Sequence, residues 1–169
     1  VSTFSVLSFI YSLVNAILSG TAQGLQPLWG LCYGERDTDG MNLYFRWGIR
    51  INAILSVAIY GLLLFFAESV IRIFNQDPEL VQNASTALPL FSLSFIPMAL
   101  NLIYTAFLYS TKQTLQADAI SLSRGVVLKA AAIFCLPVLL GSDTIWLAPL
   151  AAEMLTLLLA RILFKVFLQ

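Results

Sequence analysis

The sequence predicts an all-α membrane protein, a bundle of about five transmembrane helices, and three observations carry that prediction. Hydrophobic residues make up 59% of the 169 residues and charged residues 11%, with a mean hydropathy of +0.87, whereas soluble domains run at roughly 45–50% apolar and 25% charged. The apolar residues fall in long stretches separated by short turn-forming clusters. Lys and Arg then gather at alternate clusters, as they do on the cytoplasmic side of membrane proteins. Since a span takes about 20 residues, five or six crossings would consume most of the chain and leave little for a soluble domain.

Hydropathy places the spans at about 4–33, 42–66, 83–109, 120–140 and 144–167, in one transmembrane domain. The first two are separated by ERDTDG (35–40), a turn cluster rich in Asp and Gly. FNQDPEL (74–80) precedes the third, and Asp77-Pro78-Glu79 there reads as a helix N-terminus, with Pro in the first turn and acids facing the positive end of the helix dipole. STKQTLQAD (110–118) and GSDT (141–144) separate the rest. With the loop after the first span in the cytoplasm, Arg36, Arg46, Arg50, Lys112, Arg124, Lys129, Arg161 and Lys165 all lie toward that side, and Arg72 alone lies opposite. That split predicts an external N-terminus and a cytoplasmic C-terminus. Trp29 and Trp47 fall near the cytoplasmic interface and Trp146 near the external one, where an aromatic belt would lie.

Within the first span, Ser8, Ser12, Asn15, Ser19, Gln23, Gln26 and Gly30 recur every three or four residues and share one helical face. That stripe either borders a water-filled path or packs against neighbouring helices, for which Gly20xxxGly24 and Gly30xxxGly34 are suited. Asn15, Ser19, Gln23 and Gln26 are therefore candidate cavity-lining residues, joined by Asn101 and Tyr104 near the apolar centre of the third span. Pro27, Pro97, Pro137 and Pro149, with Pro89, are candidate helix bends, because proline frees a backbone carbonyl. Glu153 is nine residues after Thr144 and eight before Arg161. At about 1.5 Å per residue it lies near mid-span, where an ionisable group is costly, and it is the candidate to hold a proton or a cation. Lys129 is deep enough to need its stem to snorkel toward the cytoplasmic side. Arg46 and Arg50 read as orientation anchors.

Several classes of function are excluded. There is no His, so His-based nucleophilic triads and imidazole metal sites are absent, and nothing marks an enzyme, a catalytic residue or a cofactor. Whether a metal binds is left open. Cys32 and Cys135 have neither CxxC nor zinc spacing and are expected to be buried free thiols. No basic run is long enough to follow a nucleic-acid backbone. The chain begins at Val1 with no signal-peptide pattern, which is expected of a fragment or a processed product.

GTAQGLQPLWGLCYGERD (20–37) resembles the end of the second helix in the C-terminal half of the MATE family, the multidrug and toxic compound extrusion transporters. FNxDPE (74–79), ALPLF (87–91), SLSRGVVLKAAAIFCLP (121–137) and IWLAPLAAEMLTLLLARILF (145–164) follow in the family's order. The resemblance implies a transporter of two six-helix lobes around a central cavity, with this chain forming helices eight to twelve. Its partners would be the bilayer, the missing first helix of its lobe, a second homologous lobe and a small amphipathic or cationic substrate. The family exchanges such compounds for Na⁺ or H⁺ across the plasma membrane. Glu35 stands where the family usually has a small residue, and Tyr109-Ser110-Thr111 where a Gly is common. Some members bind Na⁺ through an acid in the equivalent of the third span, which here contains no Asp or Glu. That site is not carried over, and Glu153 is a candidate from its depth alone. Two other readings remain: a flippase for lipid-linked saccharides, and a non-transporting membrane scaffold subunit.

Overall fold

The structure is a computed structural model that describes residues 3–140 and 142–167, with the side chains of 136, 137, 139–144 and 165–167 outside the description. Helix α1 (Thr3–Glu35) runs unbroken through Pro27. It buries Val6, Leu7, Ile10, Val14, Leu18, Ala22, Trp29 and Cys32, a single stripe at helical spacing. Phe4, Phe9, Leu13, Ile17 and Leu31 on its other faces are exposed. An apolar helix that leaves such residues uncovered is dressed for lipid rather than water.

The α1 to α2 turn follows from its residues. The Asp37 amide donates to the Cys32 carbonyl and the Arg36 amide to that of Tyr33, closing a Schellman motif with Arg36 in the left-handed region at φ 59°. Asp37 then caps α2 (Thr38–Phe65), its carboxylate accepting from the Gly40 amide at 2.9 Å. Gly40 must lack a side chain, because a Cβ there would run into the Asp37 carboxylate and Cys32 Sγ. The same motif ends α5: Gln113 donates to Leu108, and Lys112 occupies the left-handed position at φ 61°.

A short helix, α3 (Ala67–Phe74), fills the stretch between the second span and the expected loop at 74–80, burying Ala67 and Ile71 and exposing a Glu68–Arg72 ion pair. Helix α4 (Pro78–Ser92) starts as expected, with Asp77 as cap and Pro78 in the first turn. It continues as α5 (Phe95–Ser110) after a 44° bend. Pro97 explains that break, since its ring clashes with the carbonyl four residues back, that of Leu93, inside the gap between the two helices. Pro89 interrupts nothing within α4.

The expected fourth span is α6 (Thr114–Leu122), a π turn at Ser123–Val127 and α7 (Leu128–Leu140), so no continuous α-helix fills it. Pro137 lies in the backbone of α7 with its side chain outside the described residues. The fifth begins as a 3₁₀ turn (Ser142–Leu147) leading into α8 (Ala148–Phe167). Pro149 is thus in the first turn of α8, where proline is tolerated, and does not bend the helix. By length and apolarity α1, α2, the bent α4–α5 pair and residues 145–164 can each cross a membrane.

Helix α1 packs on α2 and α5, α5 on α8, and α7 on α8. Trp29 is fully buried and meets Phe107 edge-on at 5.5 Å, so it belongs to the core and not to an interfacial belt. Phe45 stacks on Phe164 at 4.8 Å beside it. Between α7 and α8 the contact is made by Ala132, Ala148 and Ala152, small residues that let membrane helices approach closely. The glycine pairs of α1 do not serve this purpose: a Cβ at Gly20, Gly24, Gly30 or Gly34 would meet nothing within 4 Å. Cys32 is buried as expected, whereas Cys135 is exposed.

Candidate functional site

Glu153 has no exposed surface, and its partners come from elements far apart in the chain. Asn101 of α5 donates through Nδ2 to Glu153 Oε2 at 2.8 Å and to the Glu153 backbone carbonyl at 2.9 Å. The Tyr11 hydroxyl of α1 donates to Oε1 at 3.4 Å. Arg124 Nε is 3.8 Å from Oε1, and its Nη2 donates to Asn15 Oδ1 at 3.2 Å. Lys129 completes the group, donating to the Tyr11 hydroxyl at 3.0 Å with Nζ 4.1 Å from the Tyr11 ring centroid. One carboxylate is thus paired with Arg124, with Lys129 one hydrogen bond farther away through Tyr11, an arrangement that makes burial of the carboxylate tolerable. Asn101 Oδ1 is buried with no hydrogen-bond partner among the described residues.

The π turn brings the two cations together. Arg124 and Lys129 are five apart, a spacing that points residues about 140° apart on an α-helix; the π turn between them, whose hydrogen bonds run from i to i+5, is wider and narrows that angle. Lys129 therefore does not snorkel outward, and neither it nor Arg124 is an interface charge.

The polar stripe of α1 divides. Asn15, half-buried, belongs to the Glu153 cluster. Ser19, Gln23 and Gln26 line a depression of about 130 Å³ with Thr105 and Tyr109 of α5. Farther along the same α1–α5 seam, Gly30, Tyr33, Gly34 and Arg36 border a wider opening of about 680 Å³ with Ser110 and Lys112. Asn101 and Tyr104 do not line this seam. Asn101 is sealed against Glu153, and Tyr104 lines a separate cavity between α2, α5 and α8.

Asn52 was not among the residues singled out, although it is fully buried in α2. Its Nδ2 donates to the carbonyls of Leu18 at 3.3 Å and Ala99 at 3.1 Å, and the Thr21 hydroxyl donates to its Oδ1. It ties α1, α2 and α5 together. The available signal was Gly48, Asn52 and Ser56 recurring every four residues, a small and polar stripe that all three bury.

The MatE family profile matches residues 1–135, most of the chain. The chain belongs to the MatE family. No curated protein matches this MatE chain by sequence. Among solved structures it is similar to an inward-facing multidrug resistance MATE family transporter of the MOP superfamily, with a TM-score of 0.87 and 17% identity. The likeness covers 97% of the MatE chain and 38% of the transporter, so the chain spans well under half the length of that protein. This MatE protein is a multi-pass membrane protein of a transporter family, which is not a family of enzymes.

Proposed function

We propose that the chain forms most of one lobe of a secondary transporter, with its N-terminus outside and its C-terminus in the cytoplasm. It exports organic cations or other amphipathic compounds from the cell across the plasma membrane in exchange for Na⁺ or H⁺. A first helix of the same lobe and a second homologous lobe complete the path. The observation that carries this reading is Glu153, a carboxylate at the centre of the bundle, hydrogen-bonded to the same helix whose polar stripe continues as the open α1–α5 seam. A buried carboxylate held by neutral donors and cations changes its partners when it gains a proton or meets a cation, and here those partners sit on α1, α5 and the π turn. The exposed Gln23 and the seam it borders support a wet face and weigh against the scaffold reading, in which Asn15, Gln23 and Glu153 would all be covered by protein. The two cations beside Glu153 are the one feature favouring a flippase for lipid-linked saccharides, but they are tied to Tyr11, Asn15 and Glu153 and do not line the seam.

The test is efflux of cationic dyes from cells carrying the complete transporter. Glu153→Gln should reduce ion-coupled efflux at least about tenfold at unchanged membrane expression, the loss expected when a single coupling contact worth about 1.4 kcal/mol or more is removed. Efflux at the unmodified rate would remove Glu153 from the mechanism.

A further inference from the structure

We propose that the cavity between α2, α5 and α8 binds the phosphate headgroup of an anionic phospholipid. The cavity has a volume of about 240 Å³, and Arg46 and Arg50 of α2, Arg161 of α8 and Tyr104 of α5 line it above a floor that includes Ile49 and Leu157. Three arginines line it and no carboxylate does. The described ion pairs lie elsewhere, at Arg72–Glu68 and Arg124–Glu153, so these three exposed arginines have no acidic partner among the described residues. Arg50 rests over the Trp47 ring at 5.9 Å, which orders it without neutralising it. The Tyr104 ring is fixed between Phe45 and Phe164 at 5.3 Å from each, while its hydroxyl makes no hydrogen bond to a described residue.

Depth identifies the ligand. Beyond Arg50, α2 carries no charge from Ile51 to its end at Phe65, and α8 carries only the buried Glu153 between Ala148 and Arg161. The three arginines therefore mark one edge of the apolar band, the level at which lipid phosphates lie. Like charges gathered at a low-dielectric boundary repel until an anion sits among them, and guanidinium groups hold phosphate oxygens in paired hydrogen bonds. A lipid satisfies both parts of the cavity, with its phosphodiester among the arginines and its glycerol and upper chains over Ile49, Leu100 and Leu157. This site is independent of the transport reading and would exist in a scaffold as well.

The test is native mass spectrometry of the purified protein in micelles holding equal amounts of phosphatidylglycerol and phosphatidylcholine. Preferential retention of phosphatidylglycerol by the unmodified protein is expected. R46Q, R50Q and R161Q should each weaken it about fivefold, while R72Q, at the opposite end, leaves it unchanged. Tyr104→Phe should weaken it less than any of the arginine variants. Equal retention of both lipids by the unmodified protein would overturn the assignment, and needs no variant to fold. So would undiminished phosphatidylglycerol binding in the folded triple arginine variant. Displacement of the lipid by millimolar inorganic phosphate would show a free-anion site instead, and overturn the lipid assignment.

Discussion

Glu153 illustrates how the worth of a single residue in this molecule depends on who stands beside it. In hydrocarbon an unpaired carboxylate is unstable, and two hydrogen bonds, from Tyr11 and Asn101, with an Arg124 contact at 3.8 Å replace the water it has lost. Removing Arg124 strands the fully buried Glu153, whereas Arg124, part of whose side chain is exposed, is less dependent on the acid. Arg124→Ala should therefore destabilise the protein by about 3–5 kcal/mol in denaturation experiments in detergent. Adding Glu153→Gln to that variant should restore most of the loss, because no buried charge then lacks a partner. A double variant no more stable than Arg124→Ala would show that Arg124 acts through packing. Asn52 offers a neutral counterpart. Truncating it to Ala removes three hydrogen bonds that tie α2 to α1 and α5, and the expected cost is about 1–2 kcal/mol in the same measurement.

At the level of elements, irregularities do the positioning. The π turn narrows the angle between Arg124 and Lys129, so deleting Gly125, which sits in it with open space around its Cα, should return the segment to α-helical register. One of the two cations would then leave the cluster. The expected outcome is loss of the Tyr11–Lys129 contact, read by a change in Tyr11 labelling with a hydroxyl-reactive probe, alongside weaker thermal stability. The two Schellman turns carry a basic residue where glycine is preferred. Lys112→Gly removes the left-handed strain of about 1 kcal/mol, partly offset by the lost charge at the helix C-terminus. A net stabilisation below about 1 kcal/mol should register as a raised melting temperature. The bend at 93–94, by contrast, was legible in advance, since Pro97 acts on its own backbone four residues back.

At the scale of the whole molecule, large apolar side chains are exposed along the lengths of the helices, while Glu153 and Asn101 are buried and Gln23 and Gln26 border the α1–α5 seam. Phe65 is 82% exposed and Val138 85%, values that suit lipid contact. A cysteine at Gln23, in a background with Cys32 and Cys135 replaced, should react with a membrane-impermeant thiol reagent, and one at Asn101 should not. Protection of both would favour the scaffold.

The apolar stretches that form α1, α2, the bent α4–α5 pair and α8, the turn at 35–40, the cap at Asp77 and the family were readable because hydropathy, capping and helical period are local properties of consecutive residues, whereas the broken helix over 120–140 was not. The exposure of Cys135, the burial of Trp29, the parting of Tyr104 from Asn101 and the idle glycines of α1 were not, because each depends on which neighbour covers a face. The Glu153 cluster makes the division plainest. Its depth follows from counting along α8, but Tyr11 is 142 residues away, Asn101 is 52, and Asn15 meets Arg124 across 109. The linear pattern of apolar and polar residues settled that a charge would lie within the membrane, because a span's length is set by the bilayer. Only helix packing, with one π turn shifting the register, determined which donors would surround it.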